Sequence, residues 1–96
     1  IFDEITNFFK PFLIPNSRTR YTGKVERQML NNDYHSFPES VTAFEKNGQV
    51  IQIIGGDGIK RSKLTIPEWY RGKNGVFEFI KEPNGDINHR LFSPFK

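Results

Sequence analysis

Glu78 and His89 are the residues of this chain whose types and spacing offer acid–base chemistry. They flank Pro83-Asn84-Gly85-Asp86, a hairpin signal between two β-rich runs, Gly75 to Lys81 and Ile87 to Phe92. A two-residue Asn84-Gly85 turn pairs Pro83 with Asp86, Lys81 with Asn88, Ile80 with His89 and Glu78 with Leu91. Glu78 and His89 then become diagonal neighbours on one face, within reach of long side chains. A three-residue bulged turn would shift that register. A carboxylate beside an imidazole on an open sheet face can serve as general base and general acid. Upstream, Lys63 and Thr65, with Arg61, alternate away from Leu64 and Ile66 and share the face of Glu78 and His89. A cation there can neutralise a pentacovalent phosphorane, and a hydroxyl can bond a phosphate oxygen. This set suits RNA cleavage without a metal, because the ribose 2′-hydroxyl is a built-in nucleophile. The sequence offers no carboxylate cluster of the kind a magnesium nuclease needs, and no cofactor is expected.

These residues need an antiparallel sheet with one covered face. Ile1, Ile5, Phe8, Phe9 and Phe12 recur at helical spacing until Pro11 and Pro15, so residues 1–22 read as a short helix followed by a linker-like segment. Residues 23–48 read as helical. Lys24 to Leu30 forms a short helix, and Ser36-Phe37-Pro38-Glu39 is a capping-box pattern opening a second one. Phe37, Val41 and Phe44 line one side of that helix, and Asn47-Gly48 stops it. Residues 49–96 read as a β-meander: Val50 to Ile54, a Gly55-Gly56-Asp57-Gly58 turn, Lys60 to Ile66, a Pro67 to Asn74 loop, and the final hairpin. Phe77, Phe79 and Phe92 fall on the covered side. Arg90 shares that side by alternation, so it is expected near an edge, supporting the strand or reaching a phosphate around it. The expected fold is a single α+β domain with helices on one face of a four-stranded antiparallel sheet.

Composition narrows the classes further. Ninety-six residues support one core and are too few for a doubly wound dinucleotide fold. The absence of cysteine excludes disulfide staples, thiolate zinc sites and cysteine nucleophiles, and two histidines are too few for a histidine-built metal site. No apolar run approaches the roughly 18 residues a membrane span requires. Ten Phe, three Tyr and one Trp must supply most of the interior. The net charge of +3 lies wholly in residues 49–96, where eight bases (Lys60, Arg61, Lys63, Arg71, Lys73, Lys81, Arg90 and Lys96) face five acids (Asp57, Glu68, Glu78, Glu82 and Asp86). A basic excess on one part of a domain favours a polyanion, with Arg61, Arg71, Lys73 and Tyr70 as the expected RNA contacts. The chain opens at Ile1, which reads as a domain cut from something longer.

Each feature also has a plainer reading. His89 by itself suits a surface or capping role, and His35, just before Ser36, suits a helix entry. Glu78 can simply pair with Lys63 across strands. Trp69 and Tyr70 either stack on a base or close over the core. Gly55-Gly56-Asp57-Gly58 lacks the Lys-Ser/Thr and the helix of a phosphate loop and reads as a turn.

The run Gly75-Val76-Phe77-Glu78-Phe79-Ile80, Pro83-Asn84-Gly85 and Asn88-His89-Arg90-Leu91-Phe92 resembles the tail of C-terminal toxin domains in bacterial polymorphic toxins, of the contact-dependent inhibition, Rhs, wall-associated and LXG types. His35-Ser36-Phe37-Pro38 and Gly55-Gly56-Asp57-Gly58 extend the likeness, which covers roughly residues 33–93. The resemblance implies a ribonuclease of the group that unites barnase, EndoU, certain colicins and RelE. It implies that Glu78, His89 and Arg90 belong to the motif, with His35 as a further candidate catalytic residue, while Lys63 and Thr65 rest on geometry alone. It also implies delivery within a larger secreted protein, action on tRNA or rRNA in a competitor's cytoplasm, and neutralisation by an acidic immunity protein, with no membrane partner. A non-catalytic nucleic-acid-binding module using the same face, or a protein-interaction domain, remain the other readings.

Overall fold

The computed structural model describes residues 12–13 and 20–96; the expected N-terminal helix falls outside them, apart from Phe12 and Leu13. Helix α1 spans Gly23–Gln28, with Thr22 as its N-cap. A 3₁₀ helix, Glu39–Asn47, follows. Strands β1 (Gln49–Ile54), β2 (Lys60–Tyr70), β3 (Lys73–Lys81) and β4 (Ile87–Pro94) then form an antiparallel sheet in the order β1-β2-β3-β4. The architecture is α+β.

Apolar residues at every second position put Leu64 and Ile66 of β2, Phe77 and Phe79 of β3 and Phe92 of β4 on one face. There they are buried with Phe37, Val41, Phe12, Leu13 and Ile87. Rings fill this layer: Phe77 lies 4.6 Å from Phe37, 4.8 Å from Phe92 and 5.3 Å from Tyr70, all in tilted geometry. The chain ahead of α1 closes the outer edge of β4, with Thr22 N–H donating to the Ile87 carbonyl at 3.0 Å and Ile87 N–H to the Arg20 carbonyl at 2.8 Å. Further along, Phe92 N–H donates to the Tyr34 carbonyl at 2.9 Å.

Three local expectations change. The segment after Pro38 is 3₁₀ rather than α-helical, and its N-cap residue, Pro38, supplies no side-chain cap; Ser36 Oγ donates instead to the Asp33 carbonyl at 3.0 Å. Phe37 and Val41 still face the core, but the tighter winding leaves Phe44 exposed. The expected loop over Pro67 to Asn74 is mostly strand: β2 runs through Tyr70, and a two-residue turn, Arg71 (φ 51°) and Gly72 (φ 78°), returns the chain as β3. Positive φ at both turn residues matches the twist of the flanking strands. In the last hairpin Glu82 N–H bonds the Asp86 carbonyl at 2.8 Å, so the turn holds three residues. A register shift between Ile80 and Lys81 pairs Lys81 with Ile87 while Ile80 still faces His89. The bulge takes up the extra residue, and the pairing of Glu78 with Leu91 survives.

Candidate active site

The opposite face of the sheet is polar at its centre. Register places Gln49, Thr65, Glu78 and Leu91 in one cross-strand row and Ile51, Lys63, Ile80 and His89 in the next. Glu78 therefore has Thr65 directly beside it on β2, with Lys63 and His89 on its diagonals. Its Oε1 lies 2.9 Å from His89 Nε2, and its Oε2 lies 4.0 Å from Lys63 Nζ. The carboxylate is 17% exposed and the imidazole 31%, so both are partly desolvated yet open to a ligand.

No family model, curated protein or solved structure matches this chain. Among the described residues, no group of three or more His, Asp and Glu is placed to hold a metal ion. What the central residues offer is an acid–base pair whose two members share a hydrogen bond, one ammonium group within 4.0 Å of the carboxylate, and a hydroxyl on the adjacent strand.

The other expected site residues lie elsewhere. Arg90 does not reach around an edge: it is 1% exposed, beneath the sheet face that carries the rings. Its Nη1 donates to the His35 carbonyl and its Nη2 to the Phe37 carbonyl, each at 2.6 Å. The guanidinium also stacks 3.7 Å from the Phe37 ring centroid and bonds Tyr21 Oη and Glu39 Oε1, both at 3.4 Å. A buried charge is tolerated only when its donors find partners, and here it ties β4 to the segment that enters the 3₁₀ helix. His35 lies in that same segment, its carbonyl taken by Arg90 and its Nδ1 2.9 Å from Asp33 Oδ1, away from Glu78 and His89. The His35 backbone N–H, and then its side chain, hold the Asp33 carboxyl below its ordinary range.

Arg61 shares the polar face but is engaged, bonding Asp57 at 2.7 Å and Glu82 at 2.9 Å. Hydrogen bonds from Arg61 keep both carboxyls below their usual range, and those carboxylates in turn raise the guanidinium further. It braces the β1–β2 turn against the start of the last hairpin. Tyr70, expected at RNA, packs 5.2 Å from Phe92 on the core side. Arg71 and Lys73 are exposed at the β2–β3 turn, as RNA contacts would require, although Arg71 also rests 5.3 Å over the Tyr70 ring.

Since β2 continues through both aromatics, alternation sends Tyr70 into the core and Trp69 outward, 59% exposed. Trp69 and Phe95 line a shallow cavity of about 440 Å³ at one end of the polar face. The signal for Trp69 was present in Arg71-Gly72, a pair that favours a tight turn over a loop.

Proposed function

We propose that the polar face is the working surface of an endoribonuclease that cleaves without a metal, by attack of a ribose 2′-hydroxyl on the adjacent phosphate. The 2.9 Å contact between Glu78 and His89 carries this reading. The Glu78 carboxylate accepts the proton of the 2′-hydroxyl as the bond from O2′ to phosphorus forms. The bond from phosphorus to O5′ breaks, and protonated His89 delivers its proton to the departing oxygen. The products are a 2′,3′-cyclic phosphate and a 5′-hydroxyl end. Glu78 is left protonated and His89 neutral, so one proton passing along their hydrogen bond restores the starting state. Lys63 stabilises the charge that builds on the phosphorane, and Thr65 donates to a phosphate oxygen.

The order of helices before an antiparallel meander supports grouping the domain with the barnase, EndoU and RelE-like ribonucleases, as does the Gly75–Phe92 motif. On that reading the chain acts in the cytoplasm of a competing cell on tRNA or rRNA, and an acidic immunity protein covers the cationic groups in the producer. Incubating RNA with the protein in EDTA is the test. Wild type should leave cyclic phosphate ends, and His89→Ala should leave the RNA whole. Undiminished cleavage by His89→Ala would overturn the mechanism. Intact RNA throughout, with salt-sensitive binding lost in Lys63→Ala, would replace the enzyme by a non-catalytic binding module.

A further inference from the structure

Beyond the acid–base pair, the polar face ends in a second feature. Trp69 is opposite Asn74 in the β2–β3 register. The Phe95 N–H donates to the Asn74 carbonyl at 2.8 Å, so Phe95 continues the β4 side of the same cross-strand row. Two aromatic rings thus flank an amide side chain across two strand spacings, about 10 Å. Trp69 is 59% and Phe95 63% exposed, which leaves large apolar faces in water on either side of the cavity. The adjoining turn carries Arg71 and Lys73, both exposed and neither in an ion pair within 4 Å among the described residues. Glu68 also lines the cavity and accepts the Trp69 backbone N–H at 3.0 Å, while the charge of Arg71 reaches the Asp33 carboxylate and helps hold it low.

We propose that Trp69, Asn74 and Phe95 form a subsite for an unpaired nucleobase of the RNA, resting on the ribonuclease reading above. The rings stack on the base, the Asn74 amide bonds its polar edge, and Arg71 and Lys73 hold the neighbouring phosphates. Asn74 lies four residues from Glu78 along β3, about 13 Å. The subsite therefore receives a nucleotide flanking the cleaved bond, and its contribution is to binding and choice of site. Stacking on exposed rings requires single-stranded RNA, because a paired base presents no free face.

Trp69 is the single tryptophan of the chain, so its emission reports on this cavity directly. Single-stranded hexaribonucleotides are titrated into the His89→Ala protein, which keeps them intact. Saturable quenching of the emission is expected, with Phe95→Ala weakening Kd about five-fold or more. Trp69→Ala should weaken binding equally when followed by anisotropy of a labelled hexamer, with the melting temperature unchanged. If the hexamer binds with no quenching and neither substitution matters, the subsite is wrong while cleavage by wild type leaves the ribonuclease reading intact. If no hexamer binds and wild type cuts no RNA, both fall together. Emission that shifts to the blue with protein concentration alone would show a second copy covering the rings, and would overturn the assignment.

Discussion

The carboxylate of Glu78 bonds the imidazole of His89 across β3 and β4, although the backbone register sets Leu91, not His89, opposite Glu78. The contact is diagonal, and it exists because the bulge at the hairpin's start restores the pairing of Ile80 with His89. If the two groups act in one proton circuit, their loss is not additive. Glu78→Gln and His89→Ala should each lower single-turnover cleavage about 10²- to 10⁴-fold. The double variant should fall no further than the weaker single one. A double variant that loses the product of both factors would show two independent groups.

Arg90 adjoins His89 in the chain but serves the other side of the sheet. Arg90→Met should cost roughly 2–4 kcal/mol, because it strands the carbonyls of His35 and Phe37 in the interior. Arg90→Lys should recover little, since an ammonium cannot span both carbonyls as the planar fork does. Urea denaturation measures the loss. A stable Arg90→Met protein with abolished cleavage would instead place Arg90 at the substrate.

Burial, with the hydrogen bond to Glu39, pushes the Tyr21 phenol up to about 12 from its ordinary 10. The folded state holds this proton more tightly than the unfolded chain. Its contribution to stability is therefore whole below pH 10 and disappears as pH rises towards 12. Titration at 295 nm should show one tyrosine ionising late, and Tyr21→Phe should remove that step and flatten the alkaline fall in melting temperature. On the acid side the sign reverses. Asp57 and Glu82 are held low by Arg61, so their contribution is present above the usual carboxylate range and fades as pH falls below it. Arg61→Gln should blunt that acid dependence.

Gly75 sits where β3 passes β4 with no room for a side chain. A Cβ there would collide with the Ser93 carbonyl oxygen and meet the Pro94 Cα at 2.7 Å. Gly75→Ala should destabilise by about 1–3 kcal/mol through a forced shift of backbone. Gly56→Ala, where a Cβ would meet no atom of the described residues within 4 Å, should be nearly neutral, and thermal denaturation of the two compares them directly.

The sequence by itself determined which residues share each face of the sheet, though not that β2 and β3 extend through Pro67 to Asn74. Alternation along Lys60 to Ile66, Gly75 to Lys81 and Ile87 to Phe92 is a local, period-two property, so it placed Leu64, Phe77, Phe79 and Phe92 on one side and Lys63, Thr65, Glu78 and His89 on the other. Tertiary structure decided the rest. Alternation assigns Arg90 to the covered side but cannot say that two carbonyls more than fifty residues earlier in the chain wait there for its guanidinium. Nor can it show that Asp57 and Glu82 claim Arg61, or that the 3₁₀ winding turns Phe44 outward. A side chain's direction follows from its own strand, whereas its partner, and hence its availability for chemistry, depends on segments brought together only when the core closes.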